Sequence, residues 1–570
     1  MNSVAMLENP ADICFEKIRW QPVLFAQKLS RLALLSLKPR WPCANVSVRV
    51  YRNYAFELVA GSIGPFMAYY ERRPVFSYSD YDDSLSFADF APADVAVVAL
   101  NFERFRARFA PEALAAWLAG RLQALRDLGQ PVVQVHNWDA HDGAAAAFNR
   151  ALAAHVAAMP GVHLCDLQAV AAAVGDGYVE RKQDLTGTHI SAQGGLEAAR
   201  WFGLRWLAAS AAPLVKAVVV DLDNTLYQGV LGEDGVQGVA LTPGHARLQQ
   251  RLAALSADGI FVGMASRNEA EDVTQLFAGR ADFPLQAAHI SARVVNWQPK
   301  SDNLALIAAQ LRIGLDSIVF VDDNPGELAE VCTRHPQLRA IHAGNDGADT
   351  AAALDWYPGL FRWNVSDEDR LRVQDLKAAG QRAALGAAAG ADHGSYVRSL
   401  NTVLRVALNR PADVARLAEL SVKTNQFNLN LLRLGAADVQ RYQERGATVS
   451  VGMADNISDS GMIASLLFSF EDDAVVLDEA CISCRALGRG LENLMLIAAL
   501  RAVAGARAFT QVRFRYATGP RNGPARKWLE DLAGAALDEQ GSLAIPLDTL
   551  LALDNAEALN VRIDYFGTQP

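Results

Sequence analysis

The chain has 570 residues, of which 51% are hydrophobic and 20% charged, and its formal net charge is −10. A chain of this length exceeds what one hydrophobic core supports, so we expect three or four soluble globular domains. The acidic balance excludes a general nucleic-acid binder, because no basic excess is available to neutralise phosphates, although local basic pockets for small phosphorylated ligands stay compatible with it.

The amino-terminal sequence lacks the pattern of an export signal. Its first turns contain acidic residues, and no basic region precedes an apolar core. No uncharged apolar run is long enough to cross a bilayer. The six cysteines are scattered through the chain, which is not the pattern of a disulfide framework. We therefore expect a cytoplasmic protein that acts on neither membranes nor nucleic acid.

The predicted elements divide the chain into five segments. Residues 1–44 predict an amphipathic helical segment. Strand-like runs alternate with helical stretches over 45–210, and the same rhythm restarts over 214–350, which predicts two parallel, doubly wound α/β sheets. Residues 351–395 predict a helical connector. Residues 396–570 combine an antiparallel-looking strand pair, MIASLLFSFE and AVVLDEACIS, with a following helix, which predicts an α+β domain.

The stretch AVVVDLDNT, residues 217–225, places two aspartates at the end of an apolar strand. Side chains alternate along a buried parallel strand, so Asp221 and Asp223 emerge on the same side of its tip. Two carboxylates are expensive to desolvate there unless a cation or a reaction needs them. The alternative, a solvated strand end with chance acids, is the less favourable interpretation.

Three further groups lie at strand ends or helix starts of the same segment. Ser266 ends the strand FVGMAS, and Asn268 is placed to cap the next helix. Lys300 opens the helix KSDNLALIAAQL, and Asp322 and Asp323 close the strand SIVFV. Ligands of open α/β sheets bind at these carboxyl ends.

Together these motifs resemble the haloacid dehalogenase (HAD) phosphotransferases, whose signature is a hydrophobic strand followed by DxDxT. The resemblance implies that Asp221 attacks phosphorus and forms an aspartyl-phosphate. Asp223 would protonate the leaving oxygen and then activate water. Ser266 and Lys300 would hold the phosphoryl oxygens.

The same resemblance implies a Mg²⁺ site. Its ligands would be Asp221, Asp322 and the carbonyl of Asp223, and the ion would offset the repulsion between an anionic nucleophile and an anionic substrate. Asp323 would either ligate through water or orient Lys300. Between Asp221 and Ser266 there is room for a hairpin (YQGVLGEDGVQG) and one helix, and none for a cap domain. A capless site favours a phosphate displayed on a macromolecule.

Longer motifs make the resemblance more specific, to one family within this group. DLDNTLYQGVLGEDG resembles the FkbH-like family of polyketide pathways, whose usual form has Trp and Gly in place of Tyr227 and Gln228. VNWQPKSDNL, FVDDNPGE, KTNQFNLN, DNISDSGMI, SCRALGRGLE and RNGPAR match the same family. The resemblance implies SGNH-like, capless HAD and GNAT-like domains. It also implies a glyceryltransferase/phosphatase that takes the phosphoglyceryl group of 1,3-bisphosphoglycerate, removes its phosphate and loads glycerate on an acyl carrier protein as a thioester.

The carboxyl-terminal segment contains a glycine loop that looks like the pyrophosphate loop of GNAT acyltransferases. Arg485, Gly488, Arg489 and Gly490 precede a predicted helix whose positive end would help to bind a pantetheine phosphate or CoA. The alternative is a structural glycine turn. Cys484, beside Arg485, is the candidate to carry the acyl group as an enzyme thioester; a buried, inert cysteine is an equally good interpretation.

Asparagine and glutamine side chains cluster in KTNQFNLN. Asn425, Gln426 and Asn428 are candidates to bind glyceryl hydroxyls or pantetheine amides, and equally to satisfy a turn.

RNYAFE and TGTHISAQG resemble an SGNH-hydrolase-like domain. Ala55 stands where a nucleophilic hydroxyl is expected, and Thr186 where an acid would precede His189. A triad needs a nucleophile and an oriented base, so we expect a degenerate, non-hydrolytic domain.

Two other functions compete with glycerate loading. One is a HAD phosphatase fused to a CoA-dependent N-acyltransferase acting in surface-polysaccharide or other secondary metabolism. The other is a carrier-binding scaffold with vestigial sites, against which the intact acidic set argues.

Overall fold

The structure is a computed structural model that divides into two compact units, Met1–Val365 and Ser366–Pro570. It describes residues 6–365, 371, 376, 378, 382, 397–483, 485–487 and 489–566, without the side chain of Asp184. Within this described part, every helix is too short or too polar to cross a lipid bilayer.

The first unit contains two five-stranded parallel sheets. The first sheet has the strand order β2–β1–β3–β4–β5, which is the flavodoxin-like order. Its edge strand β2 alternates between exposed and half-buried residues and contains Pro74, as edge strands tolerate. The strands are β1 (Ala44–Arg52), β2 (Arg72–Tyr81), β3 (Val95–Ala99), β4 (Val133–His136) and β5 (Val162–Cys165).

The second sheet has the order β10–β9–β6–β7–β8. The strand order reverses between β6 and β9, so their carboxyl ends flank the crevice where ligands of such sheets bind. Every residue of β6, β7 and β9 is buried, because helices cover both faces. The strands are β6 (Ala217–Val220), β7 (Phe261–Ser266), β8 (Ile290–Val295), β9 (Ile318–Asp322) and β10 (Arg339–His342).

One buried hydrophobic cluster runs through both sheets of the first unit, from Trp20 to Leu360. The helices around it are α1 (Pro10–Leu24), α2 (Arg31–Ser36), α3 (Glu57–Ala60), α4 (Gly64–Ala68), α5 (Pro111–Asp127), α6 (Gly143–Ala157), α7 (Leu167–Val174), α8 (Gln183–Thr186), α9 (Ala192–Trp201), α10 (Leu207–Ala211), α11 (Leu231–Gly238), α12 (Pro243–Ala257), α13 (Ala270–Gly279), α14 (Lys300–Leu311), α15 (Pro325–Arg334) and α16 (Ala348–Trp356).

Helix α1 covers the edge of the second sheet. The side-chain amide of Gln21 donates to the carbonyl of Ala340 at 2.8 Å and accepts from the backbone N–H of His342 at 3.2 Å. Gln21 therefore satisfies two backbone groups of edge strand β10 that would otherwise lack a strand partner. A disulfide between Cys14 and Cys332 joins α1 to α15, a pairing that the spacing of the cysteines in the sequence did not indicate.

The second unit contains one mixed seven-stranded sheet in the order β16–β15–β14–β13–β12–β11–β17. Strands β13 and β14 pair antiparallel, as the sequence predicts, whereas β14 and β15 pair parallel. The strands are β11 (Val403–Leu408), β12 (Ala447–Ala454), β13 (Asp459–Phe470), β14 (Ala474–Ile482), β15 (Gln511–Ala517), β16 (Gln540–Pro546) and β17 (Arg562–Phe566). The helices are α17 (Val414–Lys423), α18 (Ala436–Arg445), α19 (Glu492–Ala504), α20 (Gly523–Ala533) and α21 (Leu547–Leu551).

The fold class predicted from the sequence is confirmed: the chain is multidomain α/β, with two doubly wound parallel sheets and a mixed-sheet domain. The five segment boundaries stay predictions, and most of the connector 366–395 lies outside the described residues.

The structure differs from two local expectations. The amino-terminal segment forms two helices rather than one, because Phe25 caps α1 and the Ser30 hydroxyl caps α2. The stretch predicted as a hairpin is closed by an antiparallel bridge between Gln228 and Ala240, but it also contains helix α11, whose first turn is held by a hydrogen bond from the backbone of Val230 to Asp234 at 2.8 Å. Strand β8 begins at Ile290, directly after a 3-10 turn over Ala287–His289.

Candidate active site

The predicted strand-end residues converge at the carboxyl edge of the second sheet. Asp221 follows β6, and its backbone N–H donates to the carbonyl of Val321 on β9 at 2.9 Å. Ser266 ends β7, Asp322 ends β9 and Lys300 begins α14. The apolar strands thus fix the backbone from which each polar side chain extends.

A buried lysine lies between two buried carboxylates. Nζ of Lys300 lies 2.5 Å from Oδ2 of Asp322 and 3.1 Å from Oδ1 of Asp221. The exposed fractions of Lys300, Asp221 and Asp322 are 3%, 6% and 0%. Charges this deep persist only when they are paired. The three charged groups therefore form one electrostatically coupled cluster.

Burial shifts the pKa values of all three groups. It raises the pKa of Asp221 to about 6, with Asp322 adding to the rise and Lys300 opposing it. Burial also raises the pKa of Asp322. For Lys300, burial lowers the pKa, but the two carboxylates outweigh it and the net shift is upward. The arrangement holds more negative charge than one lysine neutralises.

The carboxylates fit a divalent cation. Asp221, Asp322 and Asp323 each offer an oxygen within 4.8 Å of the others. Oδ1 of Asp221 is buried and accepts no hydrogen bond from the described residues, although the Lys300 ammonium lies nearby. Three hard oxygen donors this close together are the donor set that Mg²⁺ prefers. The side chain of Asp223 lies outside this group, and its predicted ligation through the carbonyl stays a prediction.

Asp223 is held apart from the cation-binding group by three hydrogen bonds. The hydroxyl of Tyr227 donates to Oδ1 at 2.7 Å, and the backbone N–H of Leu231 donates to the same oxygen at 3.0 Å. The side-chain amide of Asn268 donates to Oδ2 at 3.0 Å. One aspartate therefore faces the cation site while the other is oriented by neutral donors, which separates the two roles that phosphoryl transfer needs.

Asn268 does not cap the following helix, so that expectation is wrong. Glu269 occupies the N-cap position of α13 and makes no side-chain capping bond. The Asn268 amide instead bridges Asp223 and the hydroxyl of Ser266, which accepts at 3.1 Å. Sequence reasoning missed this contact because an asparagine before a helix reads as a cap.

The predicted loop of the second unit has two buried arginines. Arg485 donates to the carbonyls of Ser460 and Met462, and Arg489 donates to Asp455 at 2.9 Å. Both guanidinium groups therefore bind acceptors inside the unit, and their role in binding a pantetheine phosphate or CoA stays a prediction. Gly490 has a φ of +68°, which glycine adopts without strain. Cys484 and Gly488 lie outside the described residues.

The predicted amide cluster is partly structural. Asn428 is fully buried; its amide donates to the carbonyls of Ser421 and Thr424, and its oxygen accepts from Leu431. Asn425 accepts from Arg433 at 2.8 Å and is half-buried, as is Gln426. The turn-forming alternative therefore describes Asn428, while ligand binding by all three stays a prediction.

The amino-terminal sheet holds an Asp–His pair that the sequence did not indicate. Nε2 of His189 lies 3.0 Å from Oδ2 of Asp139, and the Tyr178 hydroxyl donates to the same oxygen at 2.8 Å. Burial raises the pKa of Asp139, but His189 and Tyr178 outweigh it and the net shift is downward. Asp139 thus provides the acidic partner of His189, which the sequence position of Thr186 does not. Ala55 still leaves the pair without a hydroxyl nucleophile.

A nearby buried histidine makes the folding stability of the first unit depend on pH. His136 accepts from the backbone of Leu100 at 3.2 Å and contacts the carbonyl of Asn137 through its other ring nitrogen at 2.8 Å. Burial lowers its pKa to about 4. The unfolded chain takes up this proton below about pH 6.5, so stability is lost as the pH falls from there towards 4, by about 3 kcal/mol in total.

We expect His136→Gln to reduce the loss of folding stability at low pH, because glutamine offers a donor and an acceptor without titrating. Urea unfolding of the variant and of the native chain between pH 7 and 4.5 measures the slope. His155→Gln, an exposed change on α6, is the matched control and should keep the native slope. Equal slopes for the native chain and His136→Gln would contradict the assignment.

No protein-family model matches the chain, and no curated protein matches it. Solved structures similar to it include the N-terminal part of the protein BF1531 from Bacteroides fragilis, which contains a phosphatase domain complexed with Mg. The two are 20% identical with a TM-score of 0.48, over 60% of this chain and 98% of that one.

Two further solved structures are similar to shorter parts. A protein described as a HAD family hydrolase from Streptomyces avermitilis is 21% identical with a TM-score of 0.20, over 26% of this chain and 96% of that one. A mutant of spermidine N-acetyltransferase SpeG from Vibrio cholerae is 11% identical with a TM-score of 0.20, over the same shares. None of these similarities assigns the chain to a family.

Proposed function

We propose that the chain is a Mg²⁺-dependent phosphatase of the HAD type that removes the phosphate from a phosphoglyceryl group. The observation that carries this proposal is the buried set of Asp221, Lys300 and Asp322, with Asp323 beside it and Asp223 held separately. A structural ion pair would need neither the third carboxylate nor the second, independently oriented aspartate.

The residues divide the reaction between them. The carboxylate of Asp221 attacks phosphorus, and the bond from phosphorus to the leaving oxygen breaks as the aspartyl-phosphate forms. Asp223 gives its proton to the leaving oxygen, then takes a proton from the water that hydrolyses the intermediate. Lys300 and Ser266 hold the phosphoryl oxygens. A Mg²⁺ ion held by Asp221, Asp322 and Asp323 would supply charge neutralisation.

We further propose that the phosphoglyceryl group comes from 1,3-bisphosphoglycerate and that glycerate is passed as a thioester to the phosphopantetheine of an acyl carrier protein in the cytoplasm. The resemblance of the motifs supports this step. The second unit, with its loop 483–492 and Cys484, would carry the acyl transfer. A phosphate displayed on a carrier also suits a sheet whose connections contain no cap domain.

Incubation with labelled 1,3-bisphosphoglycerate and an acyl carrier protein tests the proposal. Intact-mass spectrometry should show a carrier heavier by one glyceryl unit and free of phosphate. Cys484→Ala should abolish loading while leaving hydrolysis of p-nitrophenyl phosphate intact. An unmodified carrier and enzyme would exclude glycerate loading, and absence of any phosphatase activity would exclude the phosphatase.

A further inference from the structure

The side chain of Tyr227 is directed at the proposed acid–base residue. Tyr227 is completely buried, and its hydroxyl donates to Oδ1 of Asp223 at 2.7 Å. The N–H of Leu231, at the start of α11, donates to the same oxygen. Because a carboxylate oxygen accepts about two hydrogen bonds, both lone pairs of Oδ1 are occupied.

The other oxygen of Asp223 is differently placed. Oδ2 accepts from the side-chain nitrogen of Asn268, which also donates to Ser266 at 3.1 Å. Among the described residues no second donor reaches Oδ2, so this oxygen keeps a lone pair available for a proton. Asp223 is half-buried, whereas Tyr227 is fully enclosed.

We propose that Tyr227 is a positioning residue that makes Oδ2 of Asp223 the proton-carrying atom, and that the enzyme depends on it most when the leaving group is strongly basic. This inference rests on the proposed function. As the bond between phosphorus and the leaving oxygen breaks and the bond to Asp221 forms, the proton passes from Oδ2 to that oxygen. Without the Tyr227 hydroxyl, Oδ1 gains a free lone pair that competes for the proton.

The basicity of the leaving group distinguishes a positioning role of Tyr227 from a packing role. p-Nitrophenolate departs as an anion with little help, whereas the more basic phenolate needs a proton as its bond breaks. The two phenyl esters otherwise have nearly the same size and charge. A fault confined to proton delivery therefore slows phenyl phosphate selectively, while a general distortion of the site slows both.

The test compares kcat/KM for p-nitrophenyl phosphate and phenyl phosphate, with Mg²⁺, in the full chain and in Tyr227→Phe. The ratio kcat/KM reports the steps up to leaving-group departure, so hydrolysis of the shared aspartyl-phosphate does not mask the effect. We expect a loss of about 10-fold or more for phenyl phosphate and less than about 3-fold for p-nitrophenyl phosphate.

Phe283→Leu is the matched control. The Phe283 ring stacks on that of Tyr227, with centroids 6.0 Å apart, so this change disturbs the packing and leaves the hydroxyl in place. It should lower both rates by the same factor. Equal losses for the two substrates in Tyr227→Phe, or no loss, would overturn the positioning role. An inactive native chain would instead overturn the proposed phosphatase and the inference with it.

Discussion

Asp221→Asn is expected to abolish the phosphatase, with kcat/KM for p-nitrophenyl phosphate falling by about 10⁴-fold or more. The amide is nearly isosteric with the carboxylate, but it is too weak a nucleophile to form the mixed anhydride. Lys300 keeps Asp322 as a partner at 2.5 Å, so the site is expected to stay folded. In the loading assay, the same variant should leave the adduct on the carrier phosphorylated.

Trapping the intermediate makes this prediction sharper. Native protein quenched in acid during turnover of a labelled phosphate ester should carry a label that hydroxylamine releases, and the variant should carry none. Asp302→Asn is the matched control, because Asp302 lies on the same helix as Lys300, but its side chain is 47% exposed and pairs with Arg334. It should keep full activity. A labelled Asp221→Asn protein would show that another residue is the nucleophile.

The strand-end part of the site was predictable because it follows from a strong local signal. Fully apolar runs such as 217–220 indicate buried parallel strands, and an acid directly after such a run must lie at the carboxyl edge of the sheet. Asp221, Ser266 and Asp322 therefore meet wherever the strands become neighbours. The sheet order brings β6 between β7 and β9, which places all three together.

The contacts that orient Asp223 were not predictable in the same way. Tyr227 lies four residues beyond Asp223 in a stretch that reads as a hairpin, and its burial depends on packing against Phe283, a distant residue. The motif substitution of Tyr for the usual Trp was the one available signal. Asn268 gave a misleading signal, since its local preference for a helix cap competes with a longer-range hydrogen bond.

The partners of long-range contacts were not visible in the sequence: the motif TGTHISAQG indicates His189 but not Asp139. Asp139 and His189 come from loops fifty residues apart, and only the closure of the first sheet brings them within 3.0 Å. Gln21 reaches β10 across more than three hundred residues. Such contacts are set by how elements pack, which periodicity and spacing within one segment do not encode.

Removal of divalent cations is the second change with a large expected effect. Chelation should abolish turnover, and adding Mg²⁺ back should restore it. A cation that binds only the folded state at about 100 times its Kd adds about 2.7 kcal/mol of stability, so the unfolding temperature should rise by a few degrees with Mg²⁺. The physical reason is the excess negative charge of Asp221, Asp322 and Asp323 around one lysine.

Asp323→Asn tests whether this cluster is the binding site without disturbing the lysine. Burial raises the pKa of Asp323, with Asp221 adding to the rise, so its charge is costly in the metal-free protein and useful only when a cation is present. The variant should therefore be no less stable than the native chain without Mg²⁺ and should lose most of the Mg²⁺-dependent stabilisation. Asp302→Asn, which changes a carboxylate of α14 that pairs with Arg334 and lies outside the cluster, should retain that stabilisation. A full thermal response in Asp323→Asn would show that Asp323 is not a ligand of the cation and would contradict its place in the site.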